Sequence, residues 1–153
     1  MPSRSLYPRL SAAAFFLLFL FGGPFGFCLA AESITIDVGS VYASNSGNRI
    51  DVSLVHIQDR LGRMFDYSSY KLLDRKLQKL SVGERKEFEL PGARSMRIRL
   101  ISVEGKKVRL YVRIEEKGKK LLGTTLGLSR GGLVLVGGPV YESGVLIFLI
   151  SAD

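Results

Sequence analysis

Thiols, imidazoles and indoles are nearly missing from this chain, which has one cysteine, one histidine and no tryptophan. With a lone Cys28 there is no partner for a disulfide, and zinc sites built from four cysteines, or from cysteine pairs with histidine pairs, are excluded. With only His56, histidine-rich metal centres are excluded as well. Proline is sparse, at five residues, and no Asn-x-Ser/Thr sequon occurs. Neither GxxxxGK[ST] nor GxGxxG is present, so Gly131-Gly132 and Gly137-Gly138-Pro139 read as turns and strand breaks, not phosphate loops. No cofactor and no small-molecule substrate are expected.

Long apolar runs are confined to the start. Ala12 to Phe21 lies behind Arg4 and Arg9 and is followed by Gly22-Gly23-Pro24 and by Cys28-Leu29-Ala30-Ala31. A positive flank, a short apolar block and small residues make the pattern of a secretory signal peptide over residues 1–31. An N-terminal anchor that is retained is the alternative, but Gly22-Gly23-Pro24 interrupts the run short of the ~20 residues of a spanning helix. Phe27 before Cys28 argues against lipidation, which needs a small residue there. The remainder, 32–153, is expected to be one exported domain, periplasmic or outer-membrane-associated.

Acids are outnumbered. The chain carries 22 Lys and Arg against 14 Asp and Glu, a formal net charge of +8, and removing the two leader arginines leaves +6 on the domain. Such a balance favours anionic partners: nucleic acid, an envelope polymer or a membrane surface.

What the chain has in quantity is alternation. Ile34, Ile36 and Val38 share one side of a strand that Val41-Tyr42-Ala43 extends. From Val52 the period changes to helical, with Leu54, Ile57, Leu61, Met64 and Phe65 on one face and Asp51 placed as N-cap. Tyr67 to Leu73 reads as a strand, while Asp74 to Leu80 fits strand or helix. Ser81 to Glu84 is a turn, and Lys86, Phe88 and Leu90 alternate with Glu87 and Glu89.

Two hairpins follow. Met96, Ile98 and Leu100 alternate with Arg97 and Arg99, and Val108, Leu110, Val112 and Ile114 with Arg109, Tyr111, Arg113 and Glu115. A two-residue loop at Glu104-Gly105 opposes Leu100 to Arg109, whereas a three-residue loop Val103-Glu104-Gly105 opposes Leu100 to Val108 and Ile98 to Leu110; the second keeps apolar partners together. The same device at Glu116-Lys117-Gly118 opposes Val112 to Leu122 and Leu110 to Thr124. Leu133 to Val136 is a strand broken by Gly137-Gly138-Pro139. Val145 to Ile150, apolar on both faces, is expected to be central or covered on both sides. The fold class is therefore α+β: a mostly antiparallel sheet, curled or sandwich-like, of about eight strands with one amphipathic helix from Val52 to Met64.

Candidate chemistry is thin. His56, with Ser53 and Asp59 on one short helix, does not make a converging triad. Glu87 and Glu89 share a strand face, the arrangement a carboxylate-dependent hydrolase would need, and equally the solvated face of an edge strand. The strongest surface feature is basic. Arg97, Arg99, Arg109, Tyr111 and Arg113 project from one face of a hairpin, with Lys106 and Lys107 at its tip and Arg94 at its base, an arrangement suited to phosphates or carboxylates with Tyr111 available to stack. Opposed Arg99 and Arg109 would need relief from an anion or from Glu115, Glu87 or Glu89.

Val108 to Ile114, Leu122-Gly123-Thr124-Thr125-Leu126, Arg130 to Gly138 and Val145 to Ile150 together resemble the strand order near the end of bacterial secretins, over about residues 107–151. Only the short stretch from Pro139 to Gly144 stands where secretins carry a long gate insertion, so pore formation is not implied. The resemblance implies an envelope β-module that works beside a secretion or pilus machine. Tyr67 to Leu73 also resembles part of a small, uncharacterised exported bacterial family, which implies export but no mechanism. Together these features predict an exported, non-enzymatic domain that acts by protein binding or assembly with an envelope partner or its own copies. Binding of an anionic polymer or nucleic acid through the arginine-lined hairpin is the alternative, and a hydrolase a distant third.

Overall fold

The computed structural model describes residues 32–153; the leader read in residues 1–31, with Cys28, lies outside them. Eight strands form two four-stranded antiparallel sheets. The first has the order β2-β1-β8-β7, from β1 (Ser33–Ser44), β2 (Ser69–Ser81), β7 (Gly132–Tyr141) and β8 (Gly144–Ala152). The second is the meander β3-β4-β5-β6, from β3 (Arg85–Leu90), β4 (Arg94–Glu104), β5 (Lys107–Glu116) and β6 (Lys119–Ser129). One helical segment lies between β1 and β2, so the chain is mostly sheet with a short helix, as the alternation and the single change of period imply.

Period-2 alternation builds the main core. Ile34, Ile36, Val38, Leu146, Phe148 and Ile150 of the first sheet pack against Phe88, Met96, Ile98, Leu100, Val108, Leu110, Val112 and Ile114 of the second. The last strand is central, between β1 and β7, and its two faces serve two cores. Leu146, Phe148 and Ile150 point into the sandwich, while Ile147 packs beneath the helical segment with Val41, Ala43, Leu54, Ile57, Leu61 and Tyr70. That double coverage is why Val145 to Ile150 is apolar throughout.

Asp51 caps the helical segment as expected, its Oδ1 accepting the Ser53 backbone N–H at 3.0 Å. The segment opens, however, as a 3₁₀ helix over Val52–Ile57 and becomes α-helical only in α1 (Gln58–Met64). At three residues per turn, Leu54 and Ile57 eclipse each other toward the sheet, Ser53 and His56 form a second row, and Val52 and Val55 form a third that points to solvent. Leu54, Ile57 and Leu61 are buried, but Met64, assigned by a uniform 3.6 period to the buried face, is half exposed. The ambiguous Asp74 to Leu80 is strand, because pairing with β1 carries β2 through it without interruption.

Both hairpin registers differ from the sequence-based choice. The first turn is the two-residue Gly105-Lys106, with Gly105 at φ 59°, and Glu104 pairs with Lys107. A positive φ at the first central residue alone fits a type II′ turn, whose twist suits a hairpin. A bulge at Ile101 then shifts the register, so Leu100 faces Leu110 and Ile98 faces Val112. The second turn is Lys117-Gly118, with both residues at positive φ as in a type I′ turn. Here Leu121 is the extra residue, so Ile114 faces Leu122, Val112 faces Thr124 and Leu110 faces Leu126. In each hairpin a tight turn with favourable twist plus one bulge replaces a wider loop, and alternation survives because the bulge restores the parity. Likewise Gly137-Gly138-Pro139 does not end its strand: β7 runs to Tyr141 through a bulge between Gly137 and Val140.

Candidate anion-binding face

The outer face of the second sheet carries the basic stripe. Because Met96, Ile98 and Leu100 point inward, Arg97 and Arg99 point out; because Val108, Leu110, Val112 and Ile114 point inward, Lys107, Arg109, Tyr111 and Arg113 point out. Register then sets the rows across the sheet. Glu87, Arg97, Arg113 and Gly123 form one, and Arg85, Arg99, Tyr111 and Thr125 the next. Arg109 stands opposite Ser102 and Gly127. Arg97 thus opposes Arg113 and Arg85 opposes Arg99, whereas Arg99 and Arg109 do not face each other, the correction that follows from the bulge at Ile101.

Carboxylates sit beside the first of these pairs, Arg97 and Arg113. Glu115 is buried, at 6% exposure, and takes Arg97 Nη1 at 3.2 Å on one oxygen and Arg113 Nη2 on the other. Arg97 Nε also reaches Glu87 at 3.3 Å. Hydrogen bonds from Ser95 and Arg97 hold the Glu87 carboxyl below its ordinary range. That is opposite to the shift a general acid needs. The depression beside it, about 320 Å³, is lined by Arg85, Lys86, Glu87 and Arg97, without Glu89.

Arg94 does not belong to the stripe. It has the parity of Met96 and points inward, where its side chain is only 10% exposed and pairs with Glu116 at 2.6 Å. Its guanidinium also donates to the carbonyls of Pro91 and Val140, each at 3.3 Å, which ties β4 to β7 across the sandwich. It is a structural arginine.

Among the described residues, Arg85, Arg99, Lys106, Lys107 and Arg109 make no ion pair. Lys106 lies in the turn and Lys107 opens β5, so both extend the line Arg99, Arg109 toward one end of the sheet. Half-buried Tyr111 stands in the row between Arg99 and Thr125. On the β6 side Thr125 and Gly127 face out and the space above Gly127 is open, while the Lys120 side chain and the Tyr111 hydroxyl cover Gly123. A depression of about 420 Å³ lies there, lined by Glu104, Lys107, Arg109, Gly127 and Ser129 among others. Arg85 was not singled out from the sequence, although it shares a strand face with Glu87 and Glu89; only the pairing of β3 with β4 puts it beside Arg99.

Among the described residues no group of three or more His, Cys, Asp or Glu converges as a metal site would require. No helix there is long and apolar enough to cross a membrane. The fold and this face define an antiparallel two-sheet sandwich with basic side chains on the outer face of its second sheet. No protein-family model matches the chain, and comparisons with curated proteins and with solved structures give no significant match.

Proposed function

We propose that this protein is an exported, non-enzymatic envelope domain that works by binding, and that its contact face is the outer side of the second sheet, which takes a polyanionic envelope component. One observation carries the reading: on a face where Arg97 and Arg113 have acidic partners, Arg99 and Arg109 have none among the described residues. Unpaired arginines beside a half-buried tyrosine and the open surface at Gly127 can meet a chain of phosphates or carboxylates without first breaking an internal ion pair. A short DNA duplex serves as the model polyanion. Replacing Arg99 and Arg109 together by Gln lowers the slope of log K against log salt by roughly 1 per cation removed. An unchanged slope would overturn the assignment of this face.

A second reading, assembly with an envelope protein or further copies of the chain, is favoured by β6. At 11 residues it is a long sheet edge with no strand beyond it among the described residues. Such an edge offers backbone donors and acceptors for strand addition, and the secretin-like strand order supplies a setting for it. Sedimentation of the purified protein tests self-assembly: a Pro at Thr125 should abolish association that proceeds through this edge, and association that persists in a folded Thr125→Pro variant would exclude it.

A further inference from the structure

The helical segment covers only part of the outer face of the first sheet. Val41, Ala43, Tyr70, Leu135 and Ile147 are buried beneath it, but the neighbouring row Arg75, Gly39 and Leu149 lies at its flank. Gly39 has no side chain of its own in the middle of that row, and Leu149 leans over it. The 3₁₀ geometry turns the row Ser53 and His56 toward the same gap. A groove of about 510 Å³ results, within the ordinary range for a small-molecule site. Its apolar floor includes Leu54, Ile57, Leu72, Leu133 and Leu149, and its rim carries Ser53, His56, Arg60, Asp37, Arg75 and Ser151.

Charge at the rim selects the ligand. Asp37 is already taken, since Arg75 Nε donates to both of its carboxylate oxygens at 3.0 Å. That pair raises the Arg75 pKa further, so the two charges cancel in place. Arg60 makes no ion pair among the described residues. One unspent cation above an apolar floor, flanked by two hydroxyls and an imidazole, complements one anionic head on one aliphatic tail. A polyphosphate would leave the leucine floor unused, and a neutral hydrocarbon would leave Arg60 unused.

We propose that this groove binds a free medium-chain fatty acid, with its carboxylate on Arg60 and its chain along Leu72, Leu133 and Leu149. The groove is on the opposite sheet from the polyanion face, so the two assignments fail independently.

The test uses decanoate below its micelle concentration, followed by calorimetry on the purified protein, with decanol as the neutral homologue. Decanoate should bind saturably and at least tenfold more tightly than decanol. Arg60→Gln, an exposed substitution, should remove about that tenfold for decanoate and leave decanol unchanged. Gly39→Leu, whose Cβ would already lie 3.3 Å from Leu149 Cδ1, should fill the floor and weaken both ligands. No saturable binding of decanoate, equal affinity for the two ligands, or decanoate binding indifferent to Arg60→Gln would each overturn the proposal. So would an Arg60-dependent association with phosphatidylglycerol vesicles in a protein that does not bind free decanoate, which would reassign the groove to a membrane surface.

Discussion

Arg97 Nη1 lies 3.2 Å from Glu115 Oε2, and that carboxylate, almost fully buried on β5, also holds Arg113 directly opposite Arg97 in the register. One acid therefore stabilises two like charges that the sheet forces together. Removing a partner from a buried ion pair costs about 3–5 kcal/mol, but both guanidinium groups here are 40% or more exposed and screened. Glu115→Gln should thus cost about 1–2 kcal/mol in urea unfolding at unchanged m-value. It should also steepen the salt dependence of polyanion binding, because Arg97 and Arg113 lose their shared counter-charge. A variant as stable as the parent would refute the role given to Glu115.

Lys117 occupies the left-handed region at φ 47° because the Lys117-Gly118 turn needs positive φ at both central residues. Lysine is strained there, and asparagine tolerates the conformation far better. Lys117→Asn should raise stability by about 0.5–1 kcal/mol without altering the fold. A lower urea midpoint would contradict the turn type.

Phe148 is fully buried on the central strand and packs closely over Gly138, where even a Cβ would come within 2.7 Å of its ring. Phe148→Ala should cost about 3–5 kcal/mol, enough to unfold a marginal domain at physiological temperature. Val140→Ala, at a 71% exposed position on the neighbouring strand, should by comparison be almost neutral. Similar losses in the two variants would rule out the assigned core.

Asp51 is held below the ordinary aspartate value of 3.8, first by the Ser53 hydroxyl and then by the Ser53 backbone N–H. Because the folded pKa is depressed, the charged cap contributes stability in full above the unfolded value and loses it as pH falls through the folded one. The difference in melting temperature between the parent and Asp51→Ala should accordingly be constant near neutrality and shrink below about pH 4. A difference that grew on acidification would reverse the sign and refute the cap.

The fold class was legible because alternation needs no knowledge of partners: Met96, Ile98 and Leu100 must share a face whichever strand lies beside them. Asp51 was legible as a cap because its bond to Ser53 lies within its own first turn, although its second oxygen also accepts the Leu72 backbone N–H of β2 at 3.4 Å, which the sequence does not show. Register was not legible, because it depends on bulges at Ile101 and Leu121: in β4 the inward set passes from Met96, Ile98 and Leu100 to Val103, a change of parity that a uniform period of two does not anticipate. The candidate face was legible as a set of outward arginines but not as an electrostatic arrangement. Which arginines are paired depends on cross-strand neighbours, and Arg94, close in sequence to the others, points into the molecule and bonds to Val140.

By itself, then, the amino-acid sequence determined the β-rich class, the outward direction of Arg97, Arg99, Arg109, Tyr111 and Arg113, and the position of the capped helical segment. Each follows from local geometry, in which a side chain's direction is set by its own backbone. Tertiary structure alone decided that Glu115 is shared by Arg97 and Arg113, that Arg85 joins Arg99, and that a groove lies along Leu149 beside His56 and Arg60. Those relations join strands and a helix distant in the chain, and they exist only once two sheets have closed on a common core.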